Sequence, residues 1–222
     1  MVIAAVLFDV DGVLLDSTAA HRRVWNTWAL MRGLDTETVW RLTFGRRPED
    51  TVRDAAPHLD PGAERRVLDG LLASGTDRFP PVDGAAALLR GLRAGAWAIV
   101  TSGDRASVHA RFRTAGLPLP DVQVYAADVG AAKPAPDCYL LAAARLGVEA
   151  AECLVVEDAP AGVRAGRAAG CTVAGLTTTH TEDALPEAHF RVAALGDVAE
   201  ILTLHGLLAG DGTEAGYGDG PA

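Results

Sequence analysis

Met1-Val-Ile-Ala-Ala-Val-Leu-Phe8 runs directly into Asp9-Val-Asp11-Gly12, so a short apolar segment ends in two carboxylates and a glycine. A short apolar run bounded by turn residues predicts a buried strand, here at residues 3–8. In open parallel sheets, ligands bind beyond the carboxyl ends of the strands. At such an end one carboxylate can hold a cation and act as a nucleophile while the other handles a proton. Gly12 allows a sharp turn that brings backbone N–H groups near an anion.

Short apolar runs and longer helical patterns alternate along most of the chain, which is typical of a parallel sheet covered by helices. Further strands are predicted at residues 96–101, 122–125, 153–156, 172–176 and 190–193. Helices are predicted between and after these strands, at residues 104–115, 136–146, 159–169 and 197–208. The sequence therefore predicts an α/β fold with a Rossmann-like parallel sheet core.

One long interval interrupts this alternation and contains helical patterns without a strand. Its helices are predicted at residues 21–32, 35–43, 48–56 and 61–76. We therefore expect a small helical cap domain, residues 16–81, inserted after the first strand of a catalytic core formed by residues 1–15 and 82–208. The Gly-rich, acidic segment 209–222 is expected to be a disordered tail.

The composition is ordinary for a globular protein, with 49% apolar and 22% charged residues. The formal charge of −9 argues against nonspecific nucleic-acid binding, because phosphate backbones attract basic surfaces. We expect no signal peptide and no membrane span, since no uncharged apolar run approaches the roughly 20 residues that a span requires. Cys138, Cys153 and Cys171 have no C-x-x-C spacing, which favours reduced thiols. A cytoplasmic monomer is the resulting expectation.

Two further clusters at strand ends carry groups that suit phosphate chemistry. Thr101, Ser102 and Gly103 place a hydroxyl and small residues at the start of a helix, where they can bind phosphate oxygens, although they also suit an ordinary N-cap. Lys133 precedes Pro134, which restricts the backbone. A fixed ammonium can neutralise a carboxylate and a transferring phosphoryl group, while a plain surface lysine is the alternative.

The fourth cluster is the acidic pair Glu157-Asp158, which follows an apolar strand and enters a helix. Acidic residues simply favour helix N-termini in many proteins. Together with Asp9, however, the pair completes an oxygen-rich site of the kind that Mg²⁺ prefers. The coincidence of four such clusters at four strand ends favours one shared site.

These clusters resemble the four motifs of the haloacid dehalogenase superfamily of phosphotransferases, in the subgroup that has a helical cap. The closer similarity is to glycerol-3-phosphatases and 2-deoxyglucose-6-phosphate phosphatases. It rests on residues 97–103, 127–136 and 156–171, and on a Gly-x-Arg loop in the cap. The resemblance implies that Asp9 is the nucleophile and a metal ligand. It implies that Asp11 is the general acid/base and that the carbonyl of Asp11 is a further metal ligand. It also implies that Thr101, Ser102 and Gly103 bind phosphate, that Lys133 stabilises charge, and that Glu157 and Asp158 hold Mg²⁺. A general acid must start protonated, so the expected pKa of Asp11 is raised.

The cap supplies the candidate contacts to the rest of the substrate, which are Phe44, Gly45, Arg46 and Arg47. The two arginines would otherwise form a solvated face. His21 stands where the related beta-phosphoglucomutase also carries a histidine, and either substrate contact or packing fits it. Three tryptophans at helical spacing are expected in the cap core rather than as sugar-stacking platforms: Trp25, Trp28 and Trp40.

The sequence thus predicts a Mg²⁺-dependent phosphatase that hydrolyses a small sugar or polyol phosphate through an aspartyl-phosphate intermediate. One alternative is a beta-phosphoglucomutase-like isomerase, but the places of the mutase cap lysine and arginine hold Phe44 and Pro48. A catalytically silent binding protein is the alternative from another class, and the four filled motifs disfavour it. Asp11 and Asp158 speak against a true dehalogenase, which uses neither the second aspartate nor the metal.

Overall fold

The computed structural model describes residues 2–208 and confirms the predicted α/β class. Its sheet contains six strands in the order β3-β2-β1-β4-β5-β6, and every neighbouring pair is parallel. The strands are β1 (Ala5–Phe8), β2 (Trp97–Val100), β3 (Val122–Val124), β4 (Cys153–Glu157), β5 (Thr172–Leu176) and β6 (Phe190–Val192). The predicted tail, residues 209–222, lies outside the described residues. β3, β2, β1 and β4 are consecutive in the sheet, so the four strand ends that precede the motifs are neighbours.

Nine α-helices accompany the sheet within the described part of the chain. The first four follow β1 in the sequence and are α1 (Thr18–Met31), α2 (Thr36–Arg41), α3 (Pro48–Ala55) and α4 (Pro61–Ala73). The others are α5 (Ala85–Gly91), α6 (Arg105–Ala115), α7 (Asp137–Leu146), α8 (Pro160–Ala168) and α9 (Leu195–Leu204). α5, α6 and α9 pack on one face of the sheet, and α7 and α8 cover the other.

The two faces of the sheet are both buried because side chains alternate along each strand. In β1, Val6 and Phe8 join the core beneath α5, α6 and α9, whereas Ala5 and Leu7 join the core beneath α7 and α8. All four of these residues are fully buried. A continuous apolar run is therefore what this central strand requires.

Helices α1–α4 form a separate apolar cluster that contains Trp25, Trp28 and Trp40. The prediction that the tryptophans belong to the cap core is confirmed, although Trp25 and Trp40 also reach the neighbouring cavity. The buried carboxylate of Glu64 on α4 supports this cluster by accepting hydrogen bonds from Trp28 Nε1 at 2.7 Å and Arg32 Nε at 2.9 Å.

The chain enters and leaves this helical segment through two linkers that lie side by side. The Asp16 N–H donates to the Pro80 carbonyl at 2.8 Å, and the Val82 N–H donates to the Leu14 carbonyl at 3.0 Å. These bonds fall at the predicted limits of the cap, residues 16–81, although those domain boundaries stay a prediction.

The predicted strands agree with the observed ones to within two residues at each end. Helix α5 was not predicted, because Ala85–Gly91 is too short to show a helical period. The predicted helix at residues 197–208 is shifted, since α9 begins at Leu195 and ends before Gly206, which has φ of +67°. The predicted helix at residues 61–76 also runs too far, because α4 ends at Ala73.

Candidate active site

The carboxyl ends of β1, β2 and β4 meet at one cavity of about 160 Å³ that lies between the sheet and the cap. Asp9, Asp11, Thr101 and Asp158 line it from the sheet side. Asp9 follows β1 directly, and its N–H donates to the Val156 carbonyl at 3.0 Å, which ties it to the end of β4. Residues that are far apart in sequence thus converge as the strand-end argument predicts.

Lys133 is the centre of the buried charge network. Its Nζ donates to Asp9 Oδ1 at 2.7 Å, to Glu157 Oε1 at 2.7 Å and to the Val100 carbonyl at 3.2 Å. Only 2% of the lysine side chain is exposed. The three acceptors offset the cost of removing the ammonium from water. Burial alone would lower the pKa of Lys133, but Asp9 and Glu157 raise it well above its ordinary value.

Glu157 is fully buried, and both of its carboxylate oxygens already accept hydrogen bonds. Oε1 accepts from Lys133 and from the Tyr139 hydroxyl at 2.9 Å, and Oε2 accepts from the N–H groups of Asp158 and Ala159 at 3.1 Å. Gly162 in α8 makes room for this carboxylate, because a Cβ at that position would overlap it. The arrangement fixes Glu157 as the partner that holds Lys133 in place.

Asp158 is also buried, and the loop after β5 holds it. The Thr179 hydroxyl donates to Asp158 Oδ2, and His180 Nδ1 donates to the Asp158 carbonyl at 3.0 Å. Gly12 lies so close that a Cβ there would overlap Asp158 Oδ2, and its φ of +85° also favours glycine. The first motif and the fourth therefore pack against each other without intervening side chains.

The donor set of this site fits a divalent cation. Ligand atoms of Asp9, Glu157 and Asp158 lie within 4.8 Å of one another, and all three residues are buried. One ammonium, that of Lys133, opposes the three carboxylates, which leaves an excess of negative charge that a divalent cation would neutralise. Burial raises the pKa of Asp9 to about 7, an effect that Lys133 opposes and Glu157 reinforces. Burial likewise raises the pKa of Asp158.

Asp11 makes a contact that the sequence did not reveal. Its Oδ1 accepts from Arg111 Nη1 at 2.6 Å. Burial favours the neutral form of Asp11, but Arg111, His21 and Ser17 together hold its pKa below the ordinary value. The expected raised pKa is therefore wrong for this arrangement, because the compensating guanidinium comes from helix α6, a hundred residues away.

The predicted phosphate-binding loop follows β2 and faces the same cavity. Thr101 is buried, and its Oγ1 accepts from the Gly103 N–H at 3.0 Å. The Ser102 hydroxyl donates to the Gly45 carbonyl of the cap at 3.3 Å. This loop is therefore positioned beside Asp9 and also touches the cap.

The predicted cap residues divide into two groups. Phe44, Gly45 and Arg46 line the cavity, as does His21. Arg47 instead reaches the core, where its Nη2 donates to the carbonyls of Ala126 at 2.7 Å and Val129 at 2.8 Å. The first group faces the cavity, whereas Arg47 joins the cap to the segment that precedes Lys133.

Sequence reasoning missed four side chains that complete the site: Tyr139, Arg111, Thr179 and His180. The ring of His180 lies edge-on to Phe44, with 4.4 Å between centroids, so the loop after β5 links Asp158 to the cap. The run Thr177-Thr-Thr-His180 after β5 was a fifth polar cluster at a strand end and could have signalled this loop. Tyr139 and Arg111 lie within helices and carry no comparable signal.

Several known proteins are similar to this chain in sequence and in fold. The haloacid dehalogenase-like hydrolase family matches residues 3–170. Hexitol phosphatase A of Escherichia coli (strain K12) is 45% identical over 172 residues, which cover 75% of this chain and 80% of the relative. Glycerol-1-phosphate phosphohydrolase 2 of Saccharomyces cerevisiae is 33% identical over 198 residues, which cover 82% of this chain and 78% of the relative.

Among solved structures, a HAD family hydrolase from Deinococcus radiodurans, with bound phosphate and sodium, superposes with a TM-score of 0.71. It is 31% identical in sequence, and the match covers 93% of this chain and 98% of that one. The family match spans most of the chain, and the four motifs of the superfamily converge in the fold. The chain therefore belongs to the haloacid dehalogenase-like hydrolase family.

Proposed function

We propose that this protein is a Mg²⁺-dependent phosphatase that hydrolyses a small sugar or polyol phosphate monoester through an aspartyl-phosphate intermediate. The observation that carries the proposal is the buried set of Asp9, Lys133, Glu157 and Asp158, of which Asp9 and Asp158 line the cavity between the sheet and the cap. The hexitol and glycerol phosphatases among its relatives support the substrate class. A cavity of about 160 Å³ also suits a small metabolite, because sites for drug-sized ligands measure roughly 300–1,000 Å³.

In the proposed first step, Asp9 attacks phosphorus and the bond to the leaving oxygen breaks. Lys133 bonds Oδ1 of Asp9, and among the described residues no donor bonds Oδ2, which is therefore the attacking atom. A carboxylate and an anionic phosphate repel each other, so the nearby ammonium lowers the barrier by stabilising the charge that gathers at the phosphoryl group. Asp11 protonates the leaving oxygen, which departs as an alcohol.

Asp11 acts in both halves of the proposed reaction. Its contact with Arg111 keeps it ionised beforehand, and an anionic phosphate that enters the cavity raises the pKa of a neighbouring carboxyl and so favours protonation. In the second step Asp11 takes a proton from the attacking water, the bond between phosphorus and Asp9 breaks, and phosphate leaves.

Asp9 and Asp158 would hold the Mg²⁺, together with the carbonyl of Asp11 that the family resemblance implies. When bound, the cation supplies charge neutralisation and polarises the phosphoryl oxygens. Glu157 also belongs to the predicted ligand set, but its four accepted hydrogen bonds favour a supporting role in which it positions Lys133.

The proposal is tested by turnover and by trapping the intermediate. Hydrolysis of p-nitrophenyl phosphate should require Mg²⁺ and stop when EDTA is added. Acid quenching during turnover of a sugar phosphate, followed by borohydride reduction, should convert Asp9 to homoserine, which peptide mass spectrometry detects. Turnover that persists in EDTA would contradict the proposed metal dependence. Turnover without a modified Asp9 would contradict the proposed covalent intermediate.

The charge pattern of the cavity supports a phosphatase over the isomerase alternative, which must bind a second phosphate. Within the described chain, each arginine that lines the cavity has a carboxylate partner at 2.6–2.8 Å: Arg46 with Asp54, Arg65 with Asp69 and Arg111 with Asp11. Among these residues, no arginine is therefore left without a carboxylate partner to bind a second phosphate group. Incubation with a glucose bisphosphate should release inorganic phosphate and yield no isomerised product.

A further inference from the structure

Arg111 is a cavity residue that none of the motifs includes. It lies on α6, and only 10% of its side chain is exposed. Its Nη1 donates to Asp11 Oδ1 at 2.6 Å and its Nε donates to the Ser107 carbonyl at 3.4 Å. Its guanidinium also stacks over the ring of Phe79, with 5.1 Å from Cζ to the centroid. The guanidinium plane is therefore fixed by contacts from the core and from the linker that leaves the cap.

The remaining nitrogen, Nη2, faces the phosphate-binding loop. A Cβ built on Gly103 would lie 3.4 Å from Nη2 and 3.3 Å from Thr101 Oγ1. Within residues 2–208 no acceptor bonds Nη2. A rigid donor thus lies between the loop that would hold the phosphoryl group and the carboxyl that would protonate the leaving oxygen.

We propose that Arg111 binds the leaving group of the substrate by donating a hydrogen bond from Nη2 to a hydroxyl near the ester oxygen. The inference rests on the proposed function, in which the ester oxygen must approach Asp11 to receive its proton. Because Arg111 is bonded to that same carboxylate, the carbon atoms next to the ester oxygen must pass within reach of the guanidinium. A planar guanidinium whose Nη2 is free to donate suits this contact.

The preferred leaving group is uncharged and bears hydroxyls. Asp11 bonds Nη1 and leaves Nη2 open, so a neutral hydroxyl can accept from Nη2 without displacing Asp11, whereas an anionic group would compete with Asp11 for the guanidinium. An aliphatic leaving group without hydroxyls would leave this buried donor unpaired, which is the kind of loss that discriminates strongly between substrates. Arg111 is thereby assigned a role in specificity in addition to its contact with Asp11.

The experiment compares two alkyl esters that differ in hydroxyls, sorbitol 6-phosphate and butyl phosphate. In Arg111→Gln, kcat/KM for sorbitol 6-phosphate should fall roughly 10- to 100-fold more than for butyl phosphate, the range expected for a lost charged hydrogen bond. Arg113→Gln is the matched control, since Arg113 lies on the same helix and is exposed. It should leave both values unchanged.

A second measurement needs no turnover. In an Asp9→Asn background, adding Arg111→Gln should weaken equilibrium binding of sorbitol 6-phosphate by a similar factor and leave binding of inorganic phosphate unaltered. Arg111→Lys, which keeps the charge, tests against misfolding and should restore part of the affinity. Circular dichroism melts of each variant complete the comparison.

Equal losses for the two esters, or no loss for either, would overturn the assignment of Arg111 to the leaving group. So would a loss of inorganic phosphate binding equal to the loss of sorbitol 6-phosphate binding. If the unaltered protein hydrolyses neither ester with Mg²⁺, the proposed function fails instead. The two failures are therefore distinguishable.

Discussion

At the scale of single residues, the site depends on carboxylate oxygens that are buried away from solvent. Asp9, Glu157 and Asp158 are all buried. Within the described chain, Lys133 is the one ammonium that donates hydrogen bonds to these carboxylates. Unpaired buried carboxylates are costly, so this cluster is more stable when a cation is bound or a proton is taken up. The residues that would catalyse the reaction are thus not the residues that make the fold stable.

Asp9→Asn should abolish turnover without unfolding the protein. The amide keeps the shape of the side chain but cannot attack phosphorus, so kcat should fall by at least about 10³-fold. The melting temperature should not decrease, because the substitution removes one negative charge from a cluster rich in carboxylates. Asp121→Asn, at an exposed position, is the control. Retained turnover would take the nucleophile role away from Asp9.

Gly162→Ala should displace the Glu157 carboxylate, although Gly162 lies in α8 and does not line the cavity. A Cβ at this position overlaps the Glu157 carboxylate, so we expect a loss of roughly 1–3 kcal/mol in stability and about 10²-fold in kcat. Gly70→Ala in α4 is the matched control, because nothing lies within 4 Å of its added Cβ. That change should stabilise the protein by about 0.5–1 kcal/mol. Chemical denaturation and steady-state kinetics measure both effects, and unchanged behaviour of Gly162→Ala would contradict the close packing.

At the scale of elements, the short segment before α3 connects the cap to the core. Arg47 stands at the N-terminus of α3, and its guanidinium reaches the carbonyls of Ala126 and Val129. Those residues precede Lys133 in the loop between β3 and α7. Closing the cap and ordering this loop are therefore expected to be coupled through one side chain.

Arg47→Ala should raise KM for a sugar phosphate more than for p-nitrophenyl phosphate, because the small aryl ester uses little of the cap. The loss of three hydrogen bonds from this charged side chain, to Ala126, Val129 and Gly130, should raise KM for the larger substrate roughly tenfold or more. Arg53→Ala serves as the control, since Arg53 lies on the same helix and pairs only with Asp50 among the described residues. Equal effects on both substrates would contradict a role for Arg47 in cap closure.

At the scale of the whole molecule, the parallel sheet does most of the positioning. The order β2-β1-β4 at its centre brings Thr101, Asp9 and Asp158 together from distant parts of the sequence. None of the helices among residues 2–208 has the length and apolar character to cross a membrane. The expectations of a monomer, a cytoplasmic location and no nucleic-acid partner stay predictions.

Mg²⁺ should raise the thermal stability of the protein independently of turnover. A ligand at 100 times its dissociation constant stabilises by about 2.7 kcal/mol, which corresponds to roughly 5–10 °C in Tm for a chain of this size. Asp158→Asn should reduce this shift, whereas Asp121→Asn should preserve it. A melting curve that Mg²⁺ leaves unmoved would contradict a cation site formed by Asp9 and Asp158.

The sequence predicted those parts of the molecule that have a local signature. Asp9, Thr101 and Asp158 each follow an apolar strand, and the parallel arrangement of strands makes their convergence expected. Arg111 and Tyr139 could not be found in this way, because each lies inside a helix whose orientation depends on tertiary packing. The depressed pKa of Asp11 escaped prediction for the same reason, since it depends on a guanidinium from α6.

The paired linkers beside Leu14 and Pro80 have a consequence for how such proteins diversify. Because the chain departs and returns through adjacent, hydrogen-bonded positions, the intervening helices are joined covalently to the rest of the protein at a single place. A segment of different length and shape can occupy the same two attachment points without altering the register of any strand. We expect such a replacement to leave the residues at the strand ends in place and to change which substrate is preferred.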